Sequence, residues 1–341
     1  MEIPDMDQVQ ESLATRAEAL RQWMGRASRS EKELRLGPAA AEAVVAHVAH
    51  VDQSLERASA GEPGRCVVCH DHIESRRLQV DYTAQVCLEH LSREEAATLE
   101  REIELAQAVQ AAMLPAEVPR VPGVEFAAFS RPAQFVGGDY FDFLSFASGR
   151  PAWAIGDVAG HGVAAGLQMA GVQALSRAIV PLAGSPAEAL DRLHRLFVHN
   201  SRFTSFVSLF LAAYDPATRG LISANAGHNA PLVLLGGSSA GAVAWLVPTS
   251  PAVGLVEEAA FVEETFALDR GDLLILYTDG VVEAADEQGR QFGAERLVDA
   301  VGGQRGASAH EVVEAIRCEL EAFVGRRELA DDATIVVCRF D

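Results

Sequence analysis

Lysine is almost missing from this chain. Lys32 is the only one among 341 residues, so beyond residue 32 the sequence cannot supply a phosphate-loop lysine, a kinase ATP lysine or a Schiff-base lysine. Cations as a whole are scarce, 28 Lys and Arg against 48 Asp and Glu, for a formal net charge of −20. Such a balance disfavours broad attraction to nucleic acid or to an anionic membrane. It would also repel phosphorylated substrates unless bound cations reverse the local field. No uninterrupted apolar run approaches the roughly 20 residues of a spanning helix, and the N-terminus has no basic-then-apolar signal pattern. The expectation is a cytoplasmic chain with no membrane association and no direct nucleic-acid binding. Of five cysteines, Cys318 and Cys338 fall in apolar helix and strand patterns and are expected to be buried and inert.

What the chain does have is hydrophobic material, 49% of residues, and length enough for two domains. It also has four acidic loops, each at the end of an apolar strand pattern. Gly137-Gly138-Asp139-Tyr140-Phe141-Asp142 and Gly156-Asp157-Val158-Ala159-Gly160-His161-Gly162 come first; Tyr277-Thr278-Asp279-Gly280 and Asp331-Asp332-Ala333-Thr334 follow. Glycine beside a carboxylate lets the backbone turn sharply and bring side-chain and carbonyl oxygens onto a hard cation. One Asp-Gly after a strand is an ordinary turn; four in order suggest a shared acidic site.

In the N-terminal part, Cys66-Val67-Val68-Cys69 and Cys87-Leu88-Glu89-His90 form two close ligand pairs 17 residues apart. That spacing suits one structural, tetrahedral zinc. His70 and His72 are alternatives to His90, though neither forms a knuckle with Cys87. Before this stretch, apolar residues at helical spacing predict two helices, over about 3–30 and from 38 onward, making an antiparallel hairpin. His47 and His50 lie near the apolar face of the second but lack a further ligand pair. After it, 92–114 predicts one long helix with a Ser92/Glu95 capping box and Pro115 as its stop. Ala96, Leu99, Ile103, Ala106, Gln110 and Met113 follow a 3-4 spacing, the seam of a short coiled coil, which points to a homodimer through 92–114.

Beyond Pro122 the pattern turns to strands at 124–129, 140–146 and 152–158, helices at 163–180 and 186–200, then strands at 206–214, 221–226, 231–235, 261–268 and 272–276. Helices at 294–301 and 309–324 precede a last strand at 335–340. Runs of strands with helix pairs between them indicate an α+β layered domain with antiparallel sheets. The organisation expected is a helical hairpin with a zinc finger over 1–91, a linker helix over 92–115 and the layered α+β domain over 116–341.

The acidic motifs, with Ala226-Gly227-His228-Asn229 between the second and third, resemble the metal-dependent protein phosphatases (the PPM group) in the bacterial branch of the SpoIIE and RsbU type. The resemblance covers about 105–341. It implies two stacked antiparallel sheets flanked by helices, and a protein serine/threonine phosphatase with two Mn²⁺ or Mg²⁺ ions. By resemblance, Asp157 bridges the ions, the Val158 carbonyl completes one shell, Asp279 and Asp331 bind the first ion, and Asp139 serves the second through water. Asp331 is preferred to Asp332 because it stands three residues before Thr334. Asp142 is assigned to orienting its loop. His161 reads as a helix-entry residue with a general acid as the alternative, and His228 as either a turn residue or part of a substrate channel; no arginine stands out as a phosphate clamp, Arg131 being a candidate by proximity alone. The implied substrate is a phosphorylated anti-sigma-factor antagonist or similar regulatory protein.

The stretch from Leu55 to Cys87 also resembles the DksA/TraR zinc finger, with His90 where that family commonly has a cysteine. Some members of that family act on RNA polymerase through an acidic hairpin tip; the tip here, 26–35, is largely basic, which argues against that partner. Two rival functions stand beside the phosphatase. One is a transcription-associated binding protein using the phosphatase domain as scaffold, which the complete acidic motifs disfavour. The other is a metal-dependent phosphodiesterase, disfavoured by the lack of a histidine-rich metal cluster beside the aspartates.

Overall fold

The computed structural model describes residues 64–74, 77–78 and 84–341 apart from 116, 161, 201–205, 237–240, 305 and 328, with isolated helical positions at 18, 22, 26, 49, 51–53 and 56. The expected helical hairpin, with His47 and His50, and the role of His161 lie outside the described residues. The chain divides into two compact units, Met1–Glu102 and Ile103–Asp341.

In the first unit, Cys66, Ile73, Leu78 and Cys87 form a small core. A helix, α1 (Arg93–Met113), follows.

The second unit is built on two five-stranded antiparallel sheets. One has the order β1 (Val124–Arg131), β10 (Ala333–Phe340), β9 (Leu273–Tyr277), β6 (Leu232–Leu234), β7 (Val243–Trp245). The other runs β2 (Asp139–Ser145), β3 (Pro151–Val158), β4 (Val207–Asp215), β5 (Gly220–Ala226), β8 (Glu264–Ala267). Side chains alternate across a strand, so a sheet covered on both faces reads as a continuous apolar run. In β10, Val336, Cys338 and Phe340 enter the aromatic core with Trp153, Phe210 and Tyr214, whereas Ala333, Ile335 and Val337 pack with helix residues. In β3, Trp153 and Ile155 join that same aromatic core, while Ala152 and Ala154 face the helices.

Helices α2 (Gly162–Ile179) and α3 (Pro186–Asn200) cover the second sheet; α5 (Gly293–Gly302) and α6 (Ala309–Val324) cover the first. A one-turn helix, α4 (Asp279–Val282), opens on the third acidic loop. Helix α6 begins with a capping box: the Ser308 hydroxyl accepts from the Glu311 amide at 3.2 Å, and the Glu311 carboxylate accepts from the Ser308 amide at 2.7 Å. The result is a helix, sheet, sheet, helix sandwich, as the sequence predicts.

One expectation needs correction, and two features lie outside the sequence reading. The stretch Gly162–Leu182 is long and apolar enough to cross a membrane by length and composition alone; Ala165, Met169, Val172 and Ile179 of α2 are buried in the core. Cys338 is buried but Cys318 is exposed. Val312, Val313, Ile316, Leu320 and Val324 already form the inward stripe of α6, and residue 318 falls outside it. The short strand β7 was not predicted, because three half-buried residues carry too little alternation to be seen.

Candidate functional site

The acidic loops meet where the ends of the two sheets meet. Asp139 on β2 and Asp157 on β3 are direct register partners. On the other sheet, Thr278 follows β9 and its amide donates to the Thr334 carbonyl at the start of β10 at 3.1 Å. This places Asp279 and Asp331 on adjoining loops.

Glycines permit the approach. A Cβ at Gly280 would collide with the Asp332 backbone carbonyl, and one at Gly138 would sit 3.0 Å from the Val158 carbonyl oxygen and 3.5 Å from Asp157 Oδ1. The Val158 carbonyl thus lies beside the loop that carries Asp139.

The two carboxylates of the last loop do different work. Asp332 is buried; its Oδ1 accepts from the Ala133 amide at 2.7 Å and its Oδ2 from the Gly138 amide at 2.6 Å. It pins the β1–β2 loop, a role that sequence reading missed, although the paired Asp331-Asp332 carried the signal. Asp331 is exposed, with its Oδ1 accepting only from its neighbour's amide, Asp332 N, at 2.9 Å.

Asp142 is also buried and belongs to a different arrangement. Its Oδ2 accepts from Arg177 Nε at 2.7 Å, and Arg177 in turn donates to the Met113 carbonyl at the end of α1. Gln173 donates to the same carbonyl. Gln110, expected in a coiled-coil seam, bonds instead to the β1–β2 loop of its own unit. Its Nε2 donates to the Gly137 carbonyl at 2.7 Å and its Oε1 accepts from the Gly137 amide at 2.9 Å. Leu105 and Val109, 65% and 53% exposed, lie on the open face of α1.

His228 is 1% exposed, which removes it from any open channel. Its Nδ1 lies 2.8 Å from Ser208 Oγ, its amide donates to Asn225 Oδ1, and burial pushes its pKa down to about 4, so the ring is neutral. Gly227 (φ +67°) packs on Ala252, so this motif is a packed turn. Arg131 ends β1 and lies 4.0 Å from Glu321, on α6.

The acidic edge is electrostatically uncomfortable without cations. Burial, and then the charges of Asp279, Asp331 and Asp332, push the Asp157 pKa up to about 8. Asp139 is held far above the usual carboxylate range, chiefly by burial and further by Asp157 and Asp332. Asp279 is raised by burial and by Asp331. Among the described residues no Lys or Arg counters these three, and Asp139 Oδ1 is buried with no hydrogen-bond partner. An unpaired buried carboxylate oxygen among like charges, in a set made only of oxygen donors, fits hard divalent cations.

In the first unit, the ligand atoms of Cys66, Cys69, Cys87 and His90 all lie within 4.8 Å of one another. Cys87 Sγ is 3.1 Å from His90 Nδ1, and the Val68 amide points at Cys66 Sγ at 3.4 Å. Three sulfurs and one nitrogen at this spacing fit tetrahedral zinc. His70 and His72 are outside the group.

A family model described as Stage II sporulation protein E (SpoIIE) matches residues 147–341, more than half of the chain. The chain belongs to the SpoIIE family. The match begins after Asp139 and Asp142, so the first acidic loop of this SpoIIE-family chain rests on the geometry above. Protein IcfG of Synechocystis sp. is 26% identical over 262 residues, 69% of this chain but 41% of IcfG, so the chain spans less than half of that relative. The phosphoserine phosphatase RsbU of Bacillus subtilis is 26% identical over 246 residues, 71% of this chain and 70% of RsbU. Among solved structures, the SiaA-PP2C domain of Pseudomonas aeruginosa is similar with a TM-score of 0.63 and 23% identity, covering 72% of this chain and 98% of that one. The fold is PP2C-like.

The raised carboxylates make a prediction for the metal-free SpoIIE-family chain. A pKa raised on folding means the folded state holds the proton more tightly, so its stabilising effect is complete below the ordinary Asp pKa and lost as pH rises through the folded value. In chelator, Tm should fall between about pH 4 and pH 8, with Asp157 contributing up to its folded pKa of about 8. Differential scanning fluorimetry across that range should show a shallower fall for Asp157→Asn and a flattened one with Mn²⁺. An equal slope in all three would refute the assignment.

Proposed function

We propose that the chain is a divalent-cation-dependent protein serine/threonine phosphatase acting on a phosphorylated regulatory protein of the anti-sigma-factor-antagonist class. The observation that carries this reading is the convergence of Asp139, Asp157, Asp279 and Asp331 from two sheets, with Asp139 and Asp157 in register and no cationic side chain to offset the raised pKa values. RsbU is named a phosphoserine phosphatase, which supports phosphoserine as the group hydrolysed; the regulatory-protein class comes from the sequence resemblance.

In this reading Asp157 and the Val158 carbonyl, with Asp279 and Asp331, would hold one ion, and Asp157 with Asp139 would serve the second. When bound, a pair of Mn²⁺ or Mg²⁺ ions lowers the pKa of the attacking water and neutralises charge on the phosphoryl group. Asp332 keeps the β1–β2 loop closed on this edge through its two amide hydrogen bonds. His228, buried and neutral, takes no proton from substrate. Asp157→Asn should reduce turnover of a phosphoserine peptide in Mn²⁺ by about a thousandfold or more, the scale of losing a preorganised electrostatic group, while circular dichroism stays native. Undiminished turnover by that variant, or activity of the wild type after exhaustive chelation, would contradict the proposal.

We further infer one structural zinc on Cys66, Cys69, Cys87 and His90, supported by the clustering of their ligand atoms. Four such ligands form a closed site, and metal binding to it would supply folding free energy there. Elemental analysis of untagged protein should return about one zinc per chain, and none for Cys87→Ser; a zinc-free wild type would end the idea.

The helix α1 is proposed to regulate the catalytic unit. Support comes from Gln110 on both polar groups of Gly137, two residues before Asp139, and from the exposed Leu105 and Val109, which offer an apolar stripe to a second copy. Gln110→Ala should lower activity at limiting Mn²⁺ by roughly tenfold, the cost of losing one or two hydrogen bonds, with recovery at high Mn²⁺. Leu105→Asp with Val109→Asp should shift light-scattering mass to that of the monomer. A Gln110→Ala titration matching wild type at every Mn²⁺ concentration would make α1 a tether only.

A further inference from the structure

Thr278 lies in the third acidic loop but is read above only as part of its motif. The side chain is fully buried. Its Oγ1 accepts from the Thr334 amide at 3.0 Å and stands 2.8 Å from Asp139 Oδ2. A hydroxyl has one proton. With the Thr334 amide already donating to the oxygen, that proton goes to Asp139 Oδ2; the other acceptor, the Asp332 carbonyl, is more distant at 3.4 Å. The Thr278 amide donates to the Thr334 carbonyl, and Thr334 Oγ1 sits 2.9 Å from Ser130 Oγ. Main chain on both sides therefore fixes the hydroxyl.

The contact also joins the sheets. Thr278 and Thr334 belong to the sheet of β9 and β10, whereas Asp139 opens β2 of the other sheet. With Oδ2 held, the remaining oxygen, Oδ1, is buried and has no hydrogen-bond partner among the described residues. A carboxylate free to rotate would present either oxygen; this one cannot. We propose that the Thr278 hydroxyl is a positioning group that selects Oδ1 of Asp139 as the oxygen offered to the second divalent cation, directly or through water. The proposal rests on the two-cation reading above. It assigns Thr278 no contact with substrate; the residue acts through Asp139.

Removing a hydrogen-bond partner from behind a ligand weakens metal affinity by roughly 10–100-fold. Thr278→Val keeps the shape and removes the donor, whereas Thr278→Ser keeps the donor. Titration calorimetry of the chelated full chain with Mn²⁺ should show two binding events in the wild type. In Thr278→Val one of them should weaken by roughly 10–100-fold while the other is retained, and Thr278→Ser should restore wild-type affinity to within about threefold. The concentration of Mn²⁺ giving half-maximal phosphatase rate should move in parallel. A folded Thr278→Val that binds both ions as the wild type does overturns the proposal and leaves the two-cation reading intact. A wild type that binds no Mn²⁺ overturns both. Should Thr278→Val fail to fold, a crystal structure of the Mn²⁺-loaded wild type supplies the reading: Oδ1 of Asp139 facing the ion with Oδ2 still on Thr278 supports the proposal, and an ion on Oδ2 rejects it.

Discussion

Carboxylates brought together away from water repel one another, and the architecture of this domain is arranged so that they have no room to separate. Asp139 and Asp157 are locked by β-register; Asp279 is fixed by the turn into α4 and Asp331 by the turn into β10. Each support is local backbone geometry, which does not relax when charge accumulates. Burial together with these charges pushes the Asp157 pKa up to about 8. Burial is its largest cause and the neighbouring aspartates add to it, so a cation that neutralises the edge would relieve both contributions.

The second unit was largely legible because both of its sheets are covered. Strands such as β3, β4 and β10 are buried on two faces and appear as apolar runs ending in a polar loop, and the acidic residues stand at those ends. What was not legible depended on contacts between residues far apart in the chain. Asp332 and Asp331 are adjacent and chemically identical, and only the amides of Ala133 and Gly138 distinguish them. Likewise, the spacing of Gln110 fits a coiled-coil seam as well as it fits a hydrogen bond to Gly137; periodicity reports which face of a helix is covered, not what covers it. His228 was ambiguous because a Gly-His turn and a channel wall share the same residues until burial is known.

The two proposed metal sites rest on opposite physical grounds. The Cys and His group is a compact, closed set of soft donors, and it suits an ion that holds a fold together. The acidic edge already stands on a large preformed core and has a buried oxygen without a partner. An ion there would change reactivity more than architecture. A chelator strong enough for the second site alone should therefore silence chemistry before it disturbs structure.

One feature of the topology bears on biosynthesis. The strand β1 has a single neighbour in its sheet, β10, and the Ser130–Thr334 contact between them spans 204 residues. While the ribosome is still making the intervening segment, β1 has an apolar surface and a row of unpaired amides with nothing to meet them. Closing so long a loop is slow, and an open strand edge invites pairing with another nascent chain. The Asp139 loop, which Asp332 later pins, is synthesised early but cannot take its final shape until the end of that interval. The strand order thus leaves β1 without its partner until β10 has been made.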